Sequence, residues 1–348
     1  MGEFLGNAPV LVTGGAGYIG SLLVRRLMRL GRPVRVLDSL LYGDEAISEL
    51  RGEPGFELVV GDFRDEATVA DALRGIETVV HLGAIVGDPA CALDEDFAID
   101  TNFSATRTIV AACKAAGTQR FVFASTCSVY GASEGELNEE SPLNPVSLYA
   151  NTKIASERHI LSERDDVFSP TILRFGTAYG ASHRQRFDLV VNLLTAKAVM
   201  DGLITIHGGA QWRPFIHVDD IGGAIVCALM APIVTVAGET FNVGSTEQNF
   251  QLGEVGSLIQ EVVPESRVVL NQEITDRRNY FVNFEKAKSR LAFTPQRQMR
   301  ESIEELAIAV RELGSYQRRI HNNHRFLLES DPSIRIVMGG STANQFIV

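Results

Sequence analysis

The chain has little cysteine and no metal-ligating pattern. Its 348 residues hold four cysteines, Cys91, Cys113, Cys127 and Cys227, none in a C-x-x-C pair, and no histidines at H-x-x-x-H spacing. That argues against a disulfide framework or a zinc site, and no metal is expected. Basic charge is also in deficit, with 32 Lys and Arg against 43 Asp and Glu, a formal net charge of -11 and a pI near 5.2. Nucleic acid is therefore not expected as a partner, since phosphate backbones attract basic surfaces. No run of eighteen apolar residues occurs, and no basic stretch precedes an apolar core of signal-peptide length. The expectation is a cytoplasmic protein with no membrane partner. No repeat or low-complexity run is evident, and the glycine-rich loop near the N-terminus has no lysine, which excludes a nucleotide-hydrolysing P-loop.

What the chain does have is length and apolar content, at 45% hydrophobic, enough for a full α/β core with a smaller second lobe. Val10-Leu11-Val12 runs into Gly14, Gly17, Tyr18, Ile19 and Gly20, followed by Leu22, Leu23, Leu27, Met28 and Leu30 at helical spacing. This is strand, glycine turn, helix: the glycines allow backbone to approach a ligand closely, and the helix N-terminus offers N–H groups to a diphosphate. The next strand delivers Asp38, eighteen residues beyond Gly20, where a carboxylate accepts both ribose hydroxyls of an adenosine. A 2'-phosphate would meet a like charge there, so NAD is favoured over NADP.

Further strands end at Asp62-Phe63, placed to flank an adenine, and at Leu82-Gly83-Ala84, small residues against which a cofactor can lie. Asp62 or Asp65 also suits a helix cap. A long helix is expected from Glu95 to Ala116, closed by Gly117, then a strand running into Ser125-Thr126 and a helix from Ser147 to about Glu163. On that helix Tyr149 and Lys153 stand four apart, on one face. A cation beside a phenol lowers its pKa, and a tyrosine so placed moves a proton in step with a cofactor's hydride.

Repeated strand and helix with ligand candidates at strand C-termini predicts an α/β fold: a Rossmann-type doubly wound parallel sheet with a smaller C-terminal α/β substrate lobe. The main domain is expected over residues 8–176 and 214–230, the lobe over 177–213 and 231–313. Residues 314–348 have no clear period and no assigned role.

The T-G-G-A-G-Y-I-G loop, Asp38, the H-L-G-A segment, S-T-C-S-V-Y-G at 125–131, Tyr149-x-x-x-Lys153 and R-P-F-I-H-V-D-D together resemble an extended short-chain dehydrogenase/reductase of the NAD-dependent nucleotide-sugar epimerase/dehydratase branch. The likeness covers roughly residues 8–313. It implies NAD held permanently, a nucleoside diphosphate sugar in the lobe, and a homodimer built from the two long helices. It also implies that Tyr149 is the acid/base, that Lys153 binds the nicotinamide ribose and depresses the phenol's pKa, and that Thr126 hydrogen-bonds the sugar hydroxyl. Phosphate or sugar contacts are expected from Arg213 and Arg278, whose planar guanidinium matches phosphate oxygens, and more weakly from Thr177, Arg186 and Asn192.

Departures from the family pattern bear on the reaction. Dehydratases of the branch usually carry Asp-Glu after the Thr, where this chain has Cys127-Ser128; loss of water is thereby disfavoured, and Cys127 is expected to be a bland pocket residue. The frequent Asn after the sixth strand is Thr177, and Arg-Asp is Arg213-Pro214, which leaves the base and sugar open. The leading expectation is an epimerase working through transient oxidation at sugar C4. Alternatives are a 4-dehydrogenase or dehydratase of the same family, or a non-catalytic NAD-binding regulatory protein.

Overall fold

The computed structural model describes residues 8–272 and 278–335. In chain order the strands are β1 (Val10–Thr13), β2 (Val34–Asp38), β3 (Phe56–Val60), β4 (Thr78–His81), β5 (Arg120–Thr126), β6 (Ala132–Leu137), β7 (Ser169–Phe175), β8 (Thr177–Tyr179), β9 (Leu203–His207), β10 (Trp212–His217), β11 (Glu239–Val243), β12 (Asn249–Gln251), β13 (Arg267–Asn271) and β14 (Asn279–Val282). Seven of them form one sheet in the order β11-β7-β5-β4-β1-β2-β3, and every pairing in it is parallel. Helices cover both faces, so β1, β4, β5 and β7 are buried along almost their whole length. The strand order reverses between β1 and β4, and a crevice opens at the C-terminal ends of those strands.

The helices follow the expected boundaries closely. Helix Leu148–Ser162 starts at Ser147, whose Oγ accepts from Ala150 N at 3.3 Å. The helix expected from Glu95 to Ala116 is continuous but widens into a π-turn at Asp100–Ser104, and ends at Gly117 with φ 75°. The wide turn aims Asn102 at the main chain after β4: it accepts from Ile85 N at 2.7 Å and donates to Ile85 O at 2.9 Å.

The domain boundaries differ from expectation in three places. Strand β11, expected in the smaller lobe, extends the main sheet beyond β7 and buries Phe241 and Val243; its alternation of polar and apolar residues hid a strand covered on both faces. Strand β6, expected in the main domain, pairs with β14 outside the main sheet. Segment 214–230 is split, because β10 joins β8 and β12 in a small sheet while helix Val218–Met230 returns to pack on helix Gly20–Arg29. The rest of the lobe is built from β9 and β13 with helices Val190–Asp201, Leu252–Val262 and Met299–Leu313 around a shared core that includes Leu194, Ile206, Ile259 and Leu306.

Residues after Gly314 also take on structure. A short turn at Arg319–His321 leads into helix Asn323–Glu329, capped by Asn322 Oδ1 accepting from Arg325 N at 2.9 Å. That helix packs on Asp88–Cys91, and Phe326 and Leu327 enter a small core with Ile85, Cys91 and Phe97. Residues 336–348 lie outside the described residues. Among the described residues no helix is long and apolar enough to cross a membrane.

Candidate functional site

The crevice at the sheet's switch point widens into a cleft of about 820 Å³ between the main sheet and the lobe. Its floor is the glycine loop. Gly14 has φ 72°, and a Cβ there would sit 2.9 Å from Gly83 Cα; one on Gly20 would sit 2.2 Å from Gly14 O. Only glycine lets strand, loop and helix meet this closely. Helix Gly20–Arg29 has no side-chain cap and no acidic residue in its first turn, which leaves its N-terminal end electropositive toward the cleft.

Asp38, at the end of β2, accepts from Ala16 N and Leu40 N, both at 2.9 Å. The carboxylate is thereby tied to the glycine loop, and burial raises its pKa. At the next strand end, Asp62 is engaged by Arg64 at 2.7 Å, and the Phe63 ring lies over Gly83, occupying the space a Cβ would need. His81 of β4 is a core residue: it lies 2.6 Å from Thr13 Oγ1 and 3.1 Å from Thr106 Oγ1, and burial lowers its pKa to about 3.

Thr126, Tyr149 and Lys153 line the same cleft as Gly14, Gly17, Tyr18, Ile19, Gly20, Asp38, Asp62, Phe63, Leu82 and Ala84. Thr126 ends β5 and accepts from Ser128 N at 3.1 Å. The expected pairing of cation and phenol differs in detail. Lys153 is 3% exposed, donates to Ala124 O at 2.8 Å, lies 4.6 Å from the Phe123 ring centre and 6.0 Å from that of Tyr149. Burial lowers the amine's pKa to about 8 and raises that of the Tyr149 phenol. The Lys153 head is directed at the β5 main chain while standing beside the Tyr149 ring.

Of the expected substrate contacts, Thr177, Arg186, Arg213 and Arg278 reach the cleft wall. Arg186 is held bidentately by Asp188 at 2.8 and 3.0 Å. Arg213 lies 5.2 Å from the Tyr280 ring centre and donates to Trp212 O, while Arg278 pairs with Asp88 at 3.2 Å. Asn192 is a correction. It is fully buried, takes Gly180 N at 2.9 Å and donates toward Arg186 O, Gly180 O and Tyr18 Oη. Its amide is engaged in holding the 180–186 loop, and Asn192 is not among the residues that line the cleft.

The cleft also contains residues that spacing did not single out. Ser128 and Tyr280 present hydroxyls 3.5 Å apart, and Arg184 and Asn323 enter from the loop after β8 and from the C-terminal helix. Arg184 stands two residues before Arg186, a repeated cation that was the one available signal; nothing in sequence pointed to Asn323. Cys127 faces away from the cleft: it is 1% exposed and its Sγ lies 3.3 Å from Arg174 O, with burial raising its pKa.

The donor set suits a dinucleotide. A carboxylate at a strand end, an uncapped helix end after a glycine loop, and a phenol and an amine beyond it line one continuous cleft. Comparison with known proteins agrees. A model of the NAD dependent epimerase/dehydratase family matches residues 10–244. A UDP-glucose 4-epimerase of Lactobacillus helveticus is 31% identical over 68% of this chain and 76% of its own length. A dTDP-glucose 4,6-dehydratase of Streptomyces niveus is 33% identical over 70% of this chain and 75% of its own. A solved structure of the UDP-glucuronic acid 4-epimerase of Bacillus cereus, in complex with UDP-glucuronic acid and NAD, superposes with a TM-score of 0.79 at 26% identity, over 88% of this chain and 99% of that one. With both the fold and the nucleotide cleft in place, the chain belongs to the NAD dependent epimerase/dehydratase family, within the extended short-chain dehydrogenases/reductases, and its cofactor is NAD.

Proposed function

We propose that the protein is a nucleotide-sugar 4-epimerase. The observation that carries this is the composition of the catalytic wall: Thr126, Tyr149 and Lys153 line the cleft, while the residue after Thr126, where a dehydratase of the branch has its aspartate, is a buried thiol that burial keeps protonated. A wall with an acid/base for C4 and no carboxyl acid at that position suits oxidation and re-reduction at C4 better than expulsion of the C6 hydroxyl.

Tyr149 would take the proton of the C4 hydroxyl, and Thr126 would hold the same hydroxyl. A 4-keto sugar results. After the ketone presents its other face, Tyr149 would give the proton back to O4, so that no net proton is lost over the cycle. Bound NAD would accept the C4 hydride and return it, which closes the electron balance, and its positive charge would favour an ionised phenol. Lys153 would bind the nicotinamide ribose. Arg213 and Arg278 are suited to the sugar nucleotide's diphosphate, Arg278 by exchanging Asp88 for phosphate oxygens, and Asp38 to the adenosine ribose.

The relatives named above support a nucleotide sugar as substrate without choosing the reaction, since an epimerase and a dehydratase are about equally similar. The deciding experiment is incubation with a panel of nucleoside diphosphate sugars, with products followed by mass and NMR. An epimer of unchanged mass with no bulk NADH is expected; a product lighter by one water, or stoichiometric NADH, would assign the dehydratase or the dehydrogenase instead.

A further inference from the structure

Where the lobe meets the C-terminal helix, Arg184 and Tyr42 line the cleft, and each holds a buried polar atom without a hydrogen-bond partner among the described residues, Nε of the one and Oη of the other. Their surroundings are built rather than incidental. Arg184 is 7% exposed; its guanidinium lies 4.0 Å from the Tyr42 ring centre, and Nη2 donates to Asn323 Oδ1 at 2.7 Å and Ile320 O at 3.1 Å. Tyr42 is backed in turn by Phe326 at 4.8 Å between ring centres. The carboxylates nearby are committed: Asp188 to Arg186 and to Asn323 N, and Asp38 to two backbone N–H groups. Burial, with Arg186 beside it, lowers the Arg184 pKa to about 10. A buried guanidinium with a free donor and no counter-charge of its own is a site awaiting an anion.

We propose that Arg184, positioned by Asn323 of the C-terminal segment and stacked on Tyr42, binds the diphosphate of the bound dinucleotide, making residues 319–329 an outer wall of the cofactor site. The assignment rests on NAD occupying this cleft. The anion's chemistry, a nucleotide diphosphate, is shared with the sugar nucleotide, but position favours the cofactor. Tyr42 lies four residues beyond Asp38 in the same loop, and Arg184 is near enough to Asp38 for the two charges to act on each other. The arginines suited to the sugar nucleotide, Arg213 and Arg278, lie instead with Tyr280 and Asp88. The family model ends at residue 244, so the segment that fixes Arg184 lies outside it.

The test compares full-length wild type, Arg184→Gln and Asn323→Leu for NAD content on purification and for the rate of NAD release into excess unlabelled competitor. Calorimetric titration with uridine diphosphate is run alongside. Release at least tenfold faster in Arg184→Gln and severalfold faster in Asn323→Leu, with uridine diphosphate affinity within twofold of wild type, is the expected result. Unchanged release overturns the assignment, as does a weakened uridine diphosphate affinity with NAD retained, which would give Arg184 to the substrate. Should Arg184→Gln fail to fold by circular dichroism, Asn323→Leu decides on the same criteria. Wild type that binds no NAD at all would instead remove the cofactor reading, a separate failure.

Discussion

Replacing Lys153 by methionine should make the dinucleotide-free protein more stable while removing its activity. The folded chain buries this amine, holding its pKa at about 8 against an ordinary 10.5. Between those values the unfolded chain binds the extra proton, so stability rises with pH across that window; below it the penalty for burying the charge is fully present. At about 1.4 kcal/mol per pKa unit the penalty is about 3 kcal/mol at pH 7. Methionine matches the unbranched shape and carries no charge, but forfeits the bond to Ala124 O, worth about 1–2 kcal/mol net. The expected balance is a gain of about 1–2 kcal/mol at pH 7 that has disappeared by pH 10. Urea unfolding of NAD-stripped wild type and variant at pH 7 and pH 10 reads it directly. A variant less stable at pH 7, or a difference that ignores pH, would refute the claim that Lys153 is a charge held at a cost for function.

Three further outcomes follow from the site. Tyr149→Phe should lower turnover by about 10²–10⁴ with NAD still bound on purification; unchanged turnover would remove the proposed mechanism. Cys127→Ala should keep turnover within about threefold and the product's mass unchanged, since the thiol is buried away from the cleft; a large loss with the fold intact would reinstate it as an acid. Asn192→Leu should destabilise the protein by about 2–4 kcal/mol through buried groups left unpaired and leave the KM for the nucleotide sugar almost untouched. A raised KM at unchanged stability would return Asn192 to the substrate.

The glycine loop, Asp38 and the Tyr149 helix were legible because each is a local device: a turn that needs glycine, a residue at a strand end, two side chains one helical turn apart. The sheet's last strand was not, because Glu239–Val243 alternates like a half-exposed strand although it lies along β7 under helices. The surroundings of Arg186 and Asn192 were not legible for a related reason. A polar residue in a loop looks available until its partners are known, and both are largely consumed by neighbours, Asp188 for one and the 180–186 main chain for the other.

The sequence by itself determined the class of chemistry, since side-chain type and near-neighbour spacing are written along the chain: a dinucleotide loop, a ribose carboxylate, a tyrosine with a lysine four residues on. Tertiary structure decided the electrostatics and the walls. Whether an amine faces a phenol or a carbonyl, whether a thiol lines a cleft or a core, and whether a C-terminal helix reaches an arginine 139 residues away depend on contacts between segments distant in sequence. Burial, which sets the pKa of Tyr149, Lys153 and Cys127, exists only once those segments meet.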